Sequence, residues 1–242
     1  MQLQDKIVII TGGSEGLGKT VAKKLANEGA KVVLVANGEE ALRQAQTEIG
    51  AQAHIYTCDV TSVEQIRQTV GDILRDFDRI DILINNAGLW TEEKIEETNP
   101  ELRKKVIETN ALGTIEFTKA VEPIFRKQNS GHILNVISTS GNNDTSAGDN
   151  RLWQTYGASK WAVAGFTRAL KDSLSDTKVK VTGFYPGGFE SNMYERAGRG
   201  PIEETHNQPW MMRTEDVADA LIFCLTRPDD VLIEKLVVTK IQ

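Results

Sequence analysis

The chain is poor in cysteine, with two in 242 residues, Cys58 and Cys224. Neither belongs to a CxxC pair, which removes the usual spacing signal for a metal or thiol-redox site. Both fall in apolar runs, where a small buried thiol is the ordinary reading. Scarce cysteine also fits a reducing compartment. No stretch rich in proline, glycine and serine divides two periodic regions, and there is no internal repeat or low-complexity tract. The expected organisation is therefore one domain over residues 1–242, long enough for a full hydrophobic core. Positive charge is in deficit, with 28 Lys and Arg against 34 Asp and Glu, a net charge of −6 and a pI near 5.3. The charges are interspersed, so the basic footprint of a nucleic-acid binder is missing, and an anionic lipid surface is disfavoured for the same reason. The sequence shows no signal peptide and no apolar run long enough to span a bilayer, so the expected location is the cytoplasm.

What is present is alternation. Short apolar runs at Ile7–Ile10, Val32–Val35, Ala53–Cys58, Ile82–Ile84, His132–Ile137, Val179–Tyr185 and Val231–Val238 read as strands. Helical patterns separate them, over about Leu17–Glu28, Glu39–Ile49, Gln154–Leu174 and Thr214–Leu225, with one long helix from Pro100 to about Arg126. Gly29 and Gly50 stand where helices end, and Thr61 or Ser62 is placed to cap the helix that follows the third strand. The strands are continuously apolar, as expected when helices cover both faces of a sheet. The pattern predicts an α/β fold, a doubly wound parallel sheet of about seven strands. Ligands of such sheets bind beyond the carboxyl ends of the strands.

The run Thr11-Gly12-Gly13-Ser14-Glu15-Gly16-Leu17-Gly18 follows the first strand and opens the first helix. Its glycines permit a tight turn and a close approach of backbone to a pyrophosphate, and the helix N-terminus offers free N–H groups to phosphate. Further on, Tyr156-Gly157-Ala158-Ser159-Lys160 places a phenol and an ammonium four residues apart, on one face of a helix. A lysine charge ~5 Å from the phenol, at an effective dielectric of about 20, would be worth about 3 kcal/mol and would lower the tyrosine pKa by about two units. That would suit Tyr156 to acid–base work. Ser138 ends the fifth strand, where a hydroxyl can stabilise a developing alkoxide.

The TGxxxGxG spacing resembles the short-chain dehydrogenase/reductase family in its short, single-domain branch, and the later motifs extend the resemblance from about Lys6 to Val238. Asn85-Asn86-Ala87-Gly88 is similar to the family's NNAG element, which stabilises the sheet and lines the cofactor groove. The resemblance implies Ser138, Tyr156, Lys160 and Asn110 as the catalytic set, with Asn110 holding a water that links the lysine to solvent. Ser138 lies eighteen residues before Tyr156, five more than is usual, implying an insertion within Asn142–Leu152. Ser140 is the alternative by spacing, and Ser138 is preferred because Asn135, Ser138 and Gly141 match the family's NxxSxxG run.

The family's cofactor contacts fall on Gly12, Ser14, Glu15, Gly16, Leu17, Gly18, Asn37, Asp59, Val60, Asn86, Ala87, Gly88, Tyr156, Lys160, Pro186, Gly187 and Ser191, and no metal is expected. Ala36 replaces the aspartate of NAD-preferring members, which leans to NADP(H), whereas Glu15 leans the other way, leaving Asn37 as the discriminator. A substrate lid is expected at about 190–212, where Met193, Tyr194, Trp210, Met211 and Met212 either wall an apolar pocket or pack a small subdomain. Trp153, Arg151 and Arg196 could also meet substrate. The implied activity is hydride transfer between nicotinamide and a small-molecule carbonyl or alcohol. The expected assembly is a homodimer or homotetramer. A non-catalytic NAD(P)-binding sensor is the main rival. A halohydrin-dehalogenase-type lyase is opposed by Lys160 and the intact glycines, and an enoyl reductase by the YxxxK spacing.

Overall fold

The computed structural model describes residues 2–91, 99–142, 154–197, 200 and 208–241. Strands β1 (Ile7–Thr11), β2 (Lys31–Ala36), β3 (Ala53–Thr57), β4 (Ile82–Asn85), β5 (Gly131–Val136), β6 (Val179–Pro186) and β7 (Lys235–Val238) form one sheet in the order β3-β2-β1-β4-β5-β6-β7. Every pairing is parallel. The helices are α1 (Gly16–Asn27), α2 (Glu39–Ile49), α3 (Val63–Phe77), α4 (Pro100–Ile107), α5 (Gly113–Gln128), α6 (Gln154–Ser173), α7 (Met193–Arg196) and α8 (Thr214–Leu225). This is the doubly wound α/β architecture that the alternation of elements predicts.

The two-residue period of the strands sorts their side chains onto two faces. Val8, Ile10, Val32, Leu34, Ile82 and Ile84 pack with Leu25 of α1 and Leu221 of α8. Ile7, Ile9, Val33, Val35, Leu83 and Ile133 pack on the other side with Ile66 and Ile73 of α3 and Phe117 and Phe125 of α5. Phe117 and Phe125 are wholly buried, and burial of each side chain contributes about 1.5–3 kcal/mol. The chain winds outward from β1 to β3, then crosses to β4 on the opposite side of β1. The carboxyl ends of β1 and β4 therefore flank the switch point where a crevice opens.

Local signals explain most boundaries. Ser62, not Thr61, caps α3, its Oγ accepting from Gln65 N at 3.4 Å. Asn99 caps α4 by accepting from Glu101 N, with Pro100 at the first helical position, where a missing N–H costs nothing. Gly29 and Gly50 close α1 and α2 with φ of 86° and 95°. No described helix is long and apolar enough to cross a membrane.

Two expectations need correction. The long helix from Pro100 is not uniform, because Glu108–Leu112 forms a π turn between α4 and α5. The last strand is β7, Lys235–Val238, and not the whole of Val231–Val238. Upstream of it the backbone is held differently, with Lys180 Nζ donating to the Pro228 and Val231 carbonyls and Thr182 Oγ1 to that of Ile233. Ladder-like pairing begins only where Gly183 N donates to Glu234 O.

Candidate active site

The turn between β1 and α1 is built from glycines that the geometry requires. Gly12 and Gly16 have φ of +64° and +50°, the left-handed region that glycine enters without penalty. A Cβ on Gly18 would lie 2.2 Å from the Gly12 carbonyl oxygen, so the helix can pack this close to the turn only through glycine. The turn is tied to the end of β4. Thr11 Oγ1 accepts from Asn86 N and Ala87 N at 3.0 Å each, and Asn86 Nδ2 donates to the Thr11 and Gly12 carbonyls at 3.0 and 3.1 Å. Asn85 turns the other way, into the core, donating to Thr118 Oγ1 and Asn135 Oδ1.

Above these strand ends lies a cavity of about 1010 Å³, which reaches from the Gly-rich turn past Asn37 to Asp59 and Val60. Gly12, Ser14, Glu15, Gly16, Leu17, Asn37, Asp59, Val60, Asn86, Ala87, Gly88 and Ser191 all line it. Its size suits a dinucleotide, at the upper end of ordinary ligand pockets. Gly18, Pro186 and Gly187 are not among the lining residues; Gly18 lies beneath the turn as a packing residue, and Gly187 N bonds the Val238 carbonyl.

Tyr156, Lys160 and Ser138 also stand behind this lining rather than in it, and Gly88 is the link. Gly88 faces the cavity, and a Cβ on it would lie 3.6 Å from Lys160 Nζ and 3.4 Å from Asn110 Oδ1. Lys160 is buried and donates to the Val136 carbonyl at 3.0 Å. Its Nζ lies 5.7 Å from the Tyr156 ring centre. The Ser138 hydroxyl hydrogen-bonds Tyr156, whereas Ser140 Oγ is buried with no hydrogen-bond partner among the described residues and Ser140 N donates to Ser138 Oγ. Of the two serines, Ser138 is thus the one beside the Tyr156 hydroxyl.

Asn110 sits in the π turn, the kind of helix irregularity that gathers at functional sites. It is buried and fully engaged, its Oδ1 accepting from Leu89 N at 2.7 Å and its Nδ2 donating to Leu89 O and to Ser159 Oγ. Ser159 Oγ donates onward to the Tyr156 carbonyl. Asn110 thereby fastens the segment after β4 to the helix that carries Tyr156.

Burial governs the electrostatics. Loss of water disfavours each charged form, pushing the Tyr156 phenol up to about 12, with the Ser138 hydrogen bond pulling partly back, and pushing Lys160 down to about 8. The expected lowering of the Tyr156 pKa by Lys160 is not realised. Its ammonium is directed at the Val136 carbonyl, and desolvation of the phenolate dominates.

The segment after β6 closes on itself at its base. Met212 N donates to Gly188 O and Glu190 N to Met212 O, while Thr214 Oγ1 donates to Glu190 O. Met211 and Met212 are buried, Met212 among the core residues that pack with α8, so neither walls the cavity; Met193 does. Tyr194 contacts Trp90 edge-on at 5.0 Å and Trp210 at 5.9 Å. Arg196 Nη2 donates to both carboxylate oxygens of Glu15 at 2.5 Å. Arg151, Trp153 and most of the expected insertion fall outside the described residues.

Reading the sequence missed several of these partners. Ser159 lay inside the quoted YxxxK run and Thr11 inside the Gly-rich run, so both were in view without a role. Nothing in sequence marks Trp90 as the partner of a tyrosine a hundred residues away.

The short chain dehydrogenase family model matches residues 6–201. The chain belongs to the short-chain dehydrogenase family. Curated relatives include an uncharacterized oxidoreductase of Staphylococcus epidermidis, 32% identical with 98% of each chain covered, and one of Staphylococcus saprophyticus at 34% with the same coverage. Among solved structures, a closed form of serine dehydrogenase complexed with NADP+ superposes with a TM-score of 0.86 at 31% identity, over 96% of this chain and 94% of that one. An actinorhodin polyketide ketoreductase variant with NADPH gives 0.83 at 29% identity, over 97% and 96%. This short-chain dehydrogenase thus shares its architecture, nearly end to end, with oxidoreductases of its family.

Proposed function

We propose that this short-chain dehydrogenase interconverts a small carbonyl compound and its alcohol, with NADP(H) as the preferred dinucleotide. The observation that carries the reading is the position of Gly88, with a dinucleotide-sized cavity on one side and the Lys160 ammonium and Asn110 amide immediately on the other. The nicotinamide dinucleotide, when bound, supplies or accepts the hydride. Gly12, Ser14, Gly16 and Leu17 would cradle its phosphates at the N-terminus of α1, and Asp59, Val60 and Asn37 would flank its adenosine.

The residues of the chain account for the proton. Ser138 donates a hydrogen bond to the substrate carbonyl oxygen and fixes it beside the Tyr156 hydroxyl. Tyr156, kept protonated by burial, gives its proton to that oxygen as alkoxide character develops, and takes a proton back in the reverse direction. Lys160, behind the tyrosine, stabilises negative charge on the phenolic oxygen as the proton leaves. Asn110 and Ser159 are positioning residues that lock α6 to the segment after β4.

Support for NADP(H) comes from Ala36, which puts no carboxylate at the end of β2, and from Arg196, which offsets the charge of Glu15. The neighbours solved with NADP+ and NADPH agree with it. The segment 190–212 is read as a lid over the substrate. The assembly is read as a homodimer or homotetramer that covers the exposed Leu112 and Trp161.

The test is a fluorescence titration with NADH and NADPH, then a carbonyl and alcohol panel with the tighter dinucleotide. Saturable binding, with turnover abolished by Tyr156→Phe, supports the reading. Binding without turnover on any substrate transfers it to a sensor on the same fold.

A further inference from the structure

The phosphate-facing end of the cleft carries a carboxylate that electrostatics would keep away from a diphosphate. Glu15 is the N-cap residue of α1, with φ −151° and ψ 171°, yet its side chain makes no capping hydrogen bond. A helix N-terminus attracts anions, so a carboxylate at this position is drawn towards the free N–H groups of the first turn. Glu15 turns outward instead, to Arg196 on α7. A second contact joins the same elements, because Ser191 Oγ lies 3.9 Å from where a Gly16 Cβ would be, while accepting from Met193 N at 3.1 Å. The α7 segment thus meets the Gly-rich turn at Ser191 and again at Arg196. Of the turn residues lining the cavity, Glu15 is the one that bears charge.

We propose that Arg196 is a cofactor-affinity residue acting through Glu15. It holds the carboxylate off the α1 N-terminus and cancels its charge, so that a ligand diphosphate meets open N–H groups rather than a competing anion. The inference rests on the reading of the cleft as a dinucleotide site. The ion pair does little for the fold, since its side chains are 62% and 30% exposed and such pairs contribute little to stability. Its effect is local. Without Arg196, the Glu15 carboxylate is tethered beside the very groups that the diphosphate needs, and like charges at that range repel.

The test is a double-mutant cycle read by NADPH and NADH fluorescence titration of the full chain. Arg196→Ala raises the dissociation constant about tenfold. In the Glu15→Gln background the same Arg196→Ala change shifts the dissociation constant by no more than about twofold. The Arg196→Ala defect shrinks as salt is raised, because the repulsion is screened. A defect of equal size with and without Glu15 overturns the proposal, as does undiminished affinity in Arg196→Ala. Failure of the parent protein to bind either dinucleotide is a separate result that removes the reading of the cleft and this inference with it.

Discussion

The described residues include two tyrosine–lysine pairs, and they are alike in the distance from ammonium to ring. Lys160 Nζ lies 5.7 Å from the Tyr156 ring centre, and Lys235 Nζ lies 5.3 Å from that of Tyr185. Both rings are 8% exposed. The first pair is four residues apart on α6, and the second bridges neighbouring strands β6 and β7. The chemistry diverges in what surrounds each. Lys235 is exposed and donates to Asn142 Oδ1 at 2.7 Å. Its charge partly offsets the rise that burial imposes on Tyr185. Lys160 is buried, and burial drives it down to about 8. Tyr156 has the Ser138 hydroxyl, and Gly88 joins Lys160 to the cavity. On the proposed mechanism, a ring and an ammonium in proximity do not suffice for proton transfer; a hydroxyl at the phenolic oxygen and a link to the cavity are needed as well.

The largest expected effect breaks the pairs apart directly. Tyr156→Phe lowers turnover by about 10³-fold, within the range that general acid–base groups supply, and leaves dinucleotide affinity unchanged. Tyr185→Phe leaves both unchanged. Steady-state kinetics alongside NADPH titration reads both variants. Equal losses in the two would show that the tyrosine–lysine pair on β6 and β7 takes part as well, and the contrast drawn above would collapse.

The lysines differ next, in their dependence on pH. The folded protein releases the Lys160 proton at about 8, whereas the unfolded chain holds it to the ordinary lysine value of 10.5. Between those values the unfolded state binds more protons, so stability rises with pH. From pH 8 to 10 the rise is on the order of 2 kcal/mol, at about 1.36 kcal/mol for each unit of separation. Above pH 10 Tyr156 acts in the opposite sense, because the folded protein keeps its proton to about 12 while the unfolded chain loses it. Urea midpoints measured across this range should show the rise in the parent protein and in Lys235→Met, but not in Lys160→Met. Lys235→Met itself loses a cation–ring contact worth about 0.5–1 kcal/mol and the hydrogen bond to Asn142 Oδ1, giving a uniform drop in the urea midpoint with no dependence on pH between 8 and 10. A flat profile in the parent would show that water reaches Lys160.

The unequal legibility of these pairs in sequence has a physical cause. Tyr156 and Lys160 are joined by helical periodicity, which any reader of the chain can count. Tyr185 and Lys235 are joined by strand register, Gly183 lying opposite Lys235 and Tyr185 opposite Val237, and no local pattern encodes which strands become neighbours. The same distinction runs through the fold. Strands β1 to β6 and α8 were readable from apolar runs and caps, because those signals are local. The shortening of β7 was not, because it depends on Lys180 and Thr182 reaching across from β6 to occupy its carbonyls. The π turn at Asn110 was hidden because its residues satisfy an ordinary helical pattern. The rise of the Tyr156 pKa was misjudged in sign, since a generic charge–charge distance cannot see that desolvation dominates.

The smallest effect tests whether anything between Tyr156 and Lys160 matters beyond their spacing. Gly157 lies inside α6, and a Cβ added there meets no described atom within 4 Å. Glycine within a helix costs about 0.8–1 kcal/mol relative to alanine. Gly157→Ala should therefore raise the melting temperature by roughly 2–4 °C without altering turnover or dinucleotide affinity. The contrast with Gly18, where a Cβ would lie 2.2 Å from the Gly12 carbonyl oxygen, makes the point in reverse. Both glycines sit in runs that carry the family resemblance, but only Gly18 is required by its surroundings. If Gly157→Ala stabilised the protein and yet slowed turnover, the helix face beside Tyr156 would be shown to meet substrate, and the site would extend one residue further along α6 than the tyrosine–lysine spacing implies.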